Sequence, residues 1–174
     1  MRPHARPLLV LVLASVALSL AIPGAASARK YALGDSVMQG AKEELRARGF
    51  HVNTTTSRQF SEAPRIIRRL ADRGRLPRKV VIHLGNNGYI EPADCRRAVQ
   101  AAGSRRVFLV TLKVARGWRE ENNRRLRTCA RRHGAEIIDW FTYSVNHPSW
   151  FYDDLFHLTP VGQRKYARFV SRAT

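Results

Sequence analysis

Three short pieces of this chain carry side chains suited to acyl chemistry: Gly34-Asp35-Ser36, Gly85-Asn86-Asn87, and the stretch from Asp154 to His157. A serine hydroxyl attacks an ester carbonyl only when a base takes its proton, and the base needs a third group to hold its tautomer. Ser36, His157 and Asp154 supply those three residue types. One turn can bring Asp154 and His157 together before Pro160, whose ring suits the first turn of a helix. Asp153 is the alternative orienting acid. Asn87 offers an amide to a developing oxyanion, and the backbone N–H of Ser36 offers a second donor. Plainer readings stand beside these. Ser36 could be an ordinary helix cap, and Asn87-Gly88 is a strong turn dipeptide. Among the five histidines beyond residue 28, only His157 combines an acid three residues earlier with a suitable location. His83 lies inside an apolar run and reads as a core histidine.

Strand-like apolar runs at 30–33, 51–55, 79–84, 106–112 and 135–140 must position these groups, alternating with helical periodicity at 37–48, 63–73, 92–102, 118–132 and 160–172. Such alternation predicts an α/β domain: a five-stranded parallel sheet covered by helices on both faces. Val80-Val81-Ile82 and Val107-Phe108-Leu109-Val110 are continuously apolar, as strands buried on both faces should be. Gly49, Gly74, Gly103 and Gly134 each follow a helical run, where a left-handed residue ends a helix. Ligands of open parallel sheets bind outside the carboxyl ends of the strands. Ser36, Ser57 with Arg58, and Asn87 follow the first, second and third runs, so they fall on that edge. The loop from Asp154 to His157 can reach it.

The first residues have another character. Arg2 and Arg6 precede an uncharged run from Leu8 to Ile22 and the small residues Ala26-Ser27-Ala28, the order of a secretory signal cleaved after Ala28. A retained membrane anchor is the alternative, but the run is shorter than the roughly 20 residues a spanning helix needs. The expected organisation is a signal peptide at 1–28 and one compact domain at 29–174. Formal charge is +18, or +16 without Arg2 and Arg6. Most of the arginines fall in predicted helices as solvated faces and match no nucleic-acid reading module. Nucleic acid is therefore not expected, and an anionic cell-envelope polymer is the more natural counter-surface. Cys95 and Cys129 form an even pair in an exported chain, which favours a disulfide over two buried thiols. No metal-ligand spacing or cofactor motif occurs, and a monomer is expected.

These residues resemble the SGNH (GDSL-like) hydrolase superfamily, and in particular the exported SGNH domains of acyltransferase-3 type proteins that O-acetylate cell-wall glycans. The resemblance rests on Leu33-Gly34-Asp35-Ser36-Val37, Ser57-Arg58-Gln59-Phe60, His83-Leu84-Gly85-Asn86-Asn87-Gly88, Ile138-Asp139-Trp140, and Asp154 to His157 with Leu158-Thr159-Pro160-Val161-Gly162 following. It covers essentially all of 29–174. It implies a three-layer α/β/α sandwich with a flavodoxin-like sheet, Ser36 as nucleophile with Asp154 and His157, and Asn87 as oxyanion donor. The family's second block offers a glycine N–H to the oxyanion hole; Ser57 stands in that stretch here. The family commonly has glycine after the aspartate of the last block, where this chain has Leu155.

The expected activity is therefore an exported serine esterase acting through an acyl-enzyme on O-acyl, above all O-acetyl, esters of envelope carbohydrate. The length, with no acyl-translocating membrane domain fused, tips the expectation towards hydrolysis. Transfer to a glycan hydroxyl, served by a membrane acyltransferase partner, is the alternative, as is an inactive basic envelope-binding module. A flavodoxin-like nucleotide binder would need a glycine-rich phosphate loop, and none follows any strand. Arg58, Trp150 and Phe151 are candidate substrate contacts; Trp118 and Tyr152 could join an aromatic rim, although core packing explains the aromatics equally well.

Overall fold

The computed structural model describes residues 30–174, so the predicted signal at 1–28 lies outside the described residues. Five strands form one sheet: β1 (Lys30–Gly34), β2 (Phe50–Thr54), β3 (Lys79–His83), β4 (Arg106–Val110) and β5 (Glu136–Ile138). All neighbours are parallel, in the order β2-β1-β3-β4-β5. This is the flavodoxin-like arrangement, whose reversal of strand order falls between β1 and β3.

Side chains alternate across the strands and feed two separate cores. Tyr31, Leu33, Val80, Ile82, Val107 and Leu109 face helices α3 (Ala63–Asp72), α4 (Pro92–Ala101) and α5 (Arg119–His133). Ala32, Val52, Val81, Phe108, Val110 and Ile138 face α1 (Ser36–Gly40), α2 (Lys42–Arg46), α6 (Trp140–Ser144) and α7 (Pro160–Ala173). Trp140, fully buried, centres the second core, edge-on to Tyr166 at 5.0 Å and stacked near Trp150 at 6.0 Å. The Cys95 and Cys129 sulfurs are bonded, tying α4 to α5 over a separation of 34 residues.

Three local departures from the sequence reading affect the site. The predicted helix at 37–48 is broken at Ala41 (φ −94°, ψ 12°), giving the short α1 and α2. The run at 135–140 stops as a strand at Ile138, because the Asp139 carboxylate accepts the Thr142 N–H and starts α6. Short 3₁₀ turns at Phe60–Glu62 and Pro148–Trp150 lead into α3 and into the final loop.

Candidate active site

Ser36 is the first residue of α1, at the carboxyl end of β1. The cap of that helix is not Ser36 but Asp35, whose side chain accepts the Val37 N–H at 3.0 Å. That leaves the Ser36 hydroxyl unclaimed by its own helix, and it lies 3.0 Å from His157 Nε2. The other ring nitrogen, Nδ1, is 2.5 Å from Asp154 Oδ2. A donor at Nδ1 and an acceptor at Nε2 is the tautomer a general base requires.

The loop carrying this pair is held by its backbone. Asp154 Oδ1 accepts the N–H groups of Phe156 (3.1 Å) and His157 (2.9 Å), and Tyr152 and Leu155 close the turn through Tyr152 N–H to His157 O and Leu155 N–H to Tyr152 O. Burial alone would raise the Asp154 carboxyl, but hydrogen bonds from the His157 ring and from the two backbone N–H groups outweigh it and hold the carboxyl below its usual range. Asp153 is exposed and makes no such contacts. Behind the loop, Thr159 caps α7 by accepting the Gly162 N–H. A Cβ at Gly162 would stand 2.0 Å from Trp150 O, so only glycine lets α7 pack this closely under the loop.

Asp35 is fully buried and forms the floor of the site. Besides the Val37 N–H it accepts both Asn86 Nδ2 (3.2 and 3.0 Å) and Asn87 Nδ2 (3.2 Å). Burial pushes its pKa up to about 6, against the stabilising bonds from Asn86 and Val37 and the attraction of His157. Asn87 is thereby tethered beside Ser36, its other amide contact being Arg58 O at 3.5 Å. The Ser36 N–H, at the first position of α1, has no intrahelical carbonyl to bond. Ser57 sits on the loop after β2 with φ +59°, at the third position of a turn closed by Arg58 N–H to Thr55 O. Gln59 links that loop to the Asn87 loop, donating to Asn87 O at 3.1 Å and Ser57 O at 3.3 Å.

The three expected substrate contacts, Arg58, Trp150 and Phe151, are all buried. Arg58 is buried, and its guanidinium donates to Gly34 O, Asn53 O, Asn53 Oδ1 and Thr55 Oγ1 at 2.7–3.1 Å. It staples the ends of β1 and β2. Trp150 and Phe151 are 7% and 5% exposed and belong to the core beneath the loop, where Trp150 stacks on His147 with ring centres 3.9 Å apart. Tyr152 is exposed and Trp118 half-buried beside Tyr89. His83 is the expected core histidine, bonded through Nδ1 to the Tyr166 hydroxyl at 2.8 Å, with burial pushing its pKa down to about 3.

Two positioning residues were missed in the sequence. Asn122 Oδ1 accepts the Ile90 N–H, and its Nδ2 donates to Gly85 O and Gly88 O, so α5 clamps both sides of the Asn87 loop. Asn123 does the same for the end of β4, bonding both N–H and C=O of Leu112. Their signal was an Asn-Asn pair in an arginine-rich helix, buried where the periodicity only promised a solvated face.

No protein-family model matches the chain. YrhL of Bacillus subtilis, named as a candidate peptidoglycan O-acetyltransferase, is 30% identical over 82% of this chain and 23% of its own length. The peptidoglycan O-acetyltransferase OatA of Listeria monocytogenes is 24% identical over 88% of this chain and 25% of its own. The chain thus spans about a quarter of the length of the curated relatives it matches. Among solved structures, the C-terminal catalytic domain of Streptococcus pneumoniae peptidoglycan O-acetyltransferase A, carrying a methylsulfonyl adduct, superposes with a TM-score of 0.66 at 22% identity, covering 83% of this chain and 90% of that one. Esterase EstA of a Pseudoalteromonas species, inhibited by monoethylphosphonate, superposes with a TM-score of 0.65 at 13% identity over 83% and 95%. The fold is that shared architecture.

Proposed function

We propose that this chain, a member of the SGNH (GDSL-like) hydrolase superfamily, is an extracytoplasmic serine esterase that removes O-acyl, above all O-acetyl, groups from cell-envelope carbohydrate. The observation that carries the proposal is the continuous line from Asp154 through His157 to the Ser36 hydroxyl, with contacts of 2.5 and 3.0 Å. Ser36 Oγ attacks the ester carbonyl as its proton passes to His157 Nε2, while Asp154 steadies the imidazolium. The tetrahedral oxyanion is received by the N–H groups of Ser36 and Ser57 and by the Asn87 amide, which exchanges its long 3.5 Å contact with Arg58 O for the oxyanion. Collapse expels the sugar alkoxide, which takes the proton from His157. Water, deprotonated by the same imidazole, then releases the acid and restores Ser36.

A second reading is favoured by one observation: the relatives found by sequence bear the name of peptidoglycan O-acetyltransferases. In that reading the same acyl-enzyme is resolved by a glycan hydroxyl, with the acyl group supplied by a membrane acyltransferase. The basic, apolar, small-residue order of residues 1–28 supports export in either case.

Turnover of a nitrophenyl acetate by the protein and by Ser36→Ala tests the common step. Loss of the nucleophile should lower kcat by roughly three powers of ten or more. Equal rates would end the enzymatic reading and leave a basic binding module. Adding acceptor sugars and following acetyl-sugar against free acetate separates transfer from hydrolysis.

A further inference from the structure

The edge of the sheet opposite Ser36 is crowded with cations. Strands β1, β3 and β4 begin on Lys30, Lys79 and Arg106, which the parallel register sets side by side. The turns leading into β3 and β4 add Arg75, Arg78 and Arg105. Like charges on neighbouring strands repel. Burial and then the Lys79 ammonium hold Lys30 below its ordinary pKa.

Part of this charge is occupied internally. Lys30 Nζ donates to Ser171 O and Lys79 Nζ to Thr174 O, tying down the end of α7. Arg106 forms an exposed fork with Glu136. Arg105 donates Nε to Leu76 O and Nη1 to Ala102 O, which fixes the plane of its guanidinium at the surface. Arg75 and Arg78 are exposed, and neither has a carboxylate within ion-pair distance among the described residues. Leu76, Arg78, Lys79, Ser104, Arg105 and Arg106 line one cleft of about 650 Å³, and no carboxylate lines it. Helix C-termini attract cations for their own reasons, but Arg75, Arg78 and Arg106 lie outside the helices.

We propose that this cleft is a docking site for a linear polyanion with a repeating phosphate backbone and no bases. Guanidinium forks match phosphate oxygens two at a time, and arginine dominates the cleft. The fixed Arg105 and the exposed Arg78, which line the cleft together with Ser104, would grip one phosphate and leave its neighbour to Arg75 in the turn before β3. Nucleic acid is disfavoured because single strands are held by stacking on exposed aromatics. The exposed aromatics Tyr89, Tyr143 and Tyr152 lie instead in the Asn87 loop, α6 and the His157 loop. Docking at this pole leaves the Ser36 edge open, and the assignment does not depend on the catalytic reading.

Long-chain inorganic polyphosphate is the probe, with polyglutamate and oligothymidylate as competitors, measured by fluorescence anisotropy in about 0.1 M salt. Arg75→Glu with Arg78→Glu should weaken polyphosphate binding about 10-fold or more and flatten its salt dependence. Arg164→Glu with Arg168→Glu makes the same change of charge on exposed positions of α7, and it should weaken binding less than about 3-fold. Arg78→Gln alone gives a milder variant, and thermal melts verify folding of each. Equal losses in the two double variants would overturn the proposal in favour of diffuse charge. Oligothymidylate or polyglutamate competing as well as polyphosphate would overturn the choice of ligand, and absence of saturable binding would overturn the site.

Discussion

At the scale of single residues, the two positions where the chain departs from the glycines of the family it resembles are informative. Ser57 (φ +59°) and Leu155 (φ +63°) are the non-glycine residues with positive φ among those described. The backbone at both places adopts the left-handed conformation that favours glycine, with a side chain present. Holding an L-residue there costs about 1–2 kcal/mol, partly offset by the ~0.4–1 kcal/mol that glycine loses through a freer unfolded chain. Ser57→Gly and Leu155→Gly should each raise Tm by about 1–3 °C, read by calorimetry; lower melting points for both would mean that the side chains make stabilising contacts that outweigh the strain. Asp35 has the opposite character, a buried carboxyl used to order donors around Ser36. Its folded-state pKa of about 6 lies above its unfolded value, so its contribution to stability is full below pH ~4 and is lost as pH rises through about 6. The loss amounts to about 3 kcal/mol. Asp35→Asn keeps an acceptor for the Val37 N–H and removes the titration. Relative to the parent, this variant should therefore gain stability between pH 4 and pH 7 in denaturant titrations. A constant offset across that range would refute the linkage.

At the scale of elements, the strands and long helices were legible because they repeat one simple pattern. Val80 to Ile82 and Val107 to Val110 are buried on both faces, and continuous hydrophobicity marks that condition without ambiguity. The loops were less legible. The sequence around Trp150 does not distinguish a core residue from a rim residue; its burial depends on Trp140 and α7 arriving from elsewhere. Arg58 likewise looked like a ligand contact, and only the convergence of Gly34, Asn53 and Thr55 shows why it is buried. Nor could periodicity foresee the break at Ala41, because both halves of the 37–48 run keep their apolar side on the same core. The least legible element was the start of α5, where Asn122 bonds three backbone groups of the Asn87 loop. Asn122→Ala leaves those buried groups without partners and should destabilise the protein by about 3 kcal/mol. Because the loop carrying Asn87 would loosen while Ser36 and His157 stay paired, kcat should fall more than KM rises. Unchanged melting and unchanged kcat would show that the clamp is dispensable.

For the whole molecule, the same logic connects a distant covalent bond to the site. Cys95 on α4 and Cys129 on α5 close a loop of 34 residues, and both are buried against the core that also holds Leu126, Ile90 and Leu112. In the chain-entropy account, opening such a loop in the unfolded state stabilises it by about 4 kcal/mol relative to the bonded form. A domain of this size shifts its Tm by about 2–4 °C for each kcal/mol, so Cys95→Ala with Cys129→Ala should melt about 10 °C lower. The native arrangement of α4 and α5 does not require the bond for its direction, since Ala98, Val99 and Ala130 pack the same seam and Arg125 donates to Ile90 O. Turnover of the nitrophenyl ester well below the melting range should therefore stay within about 3-fold of the parent, because the relay runs on α1 and the loop before α7, outside the bridged pair. A drop in turnover as large as the stability loss, at a temperature where circular dichroism shows the variant folded, would mean that the bridge tunes the Asn87 loop through α5. A melting point unaffected by reduction would mean that packing alone holds the seam.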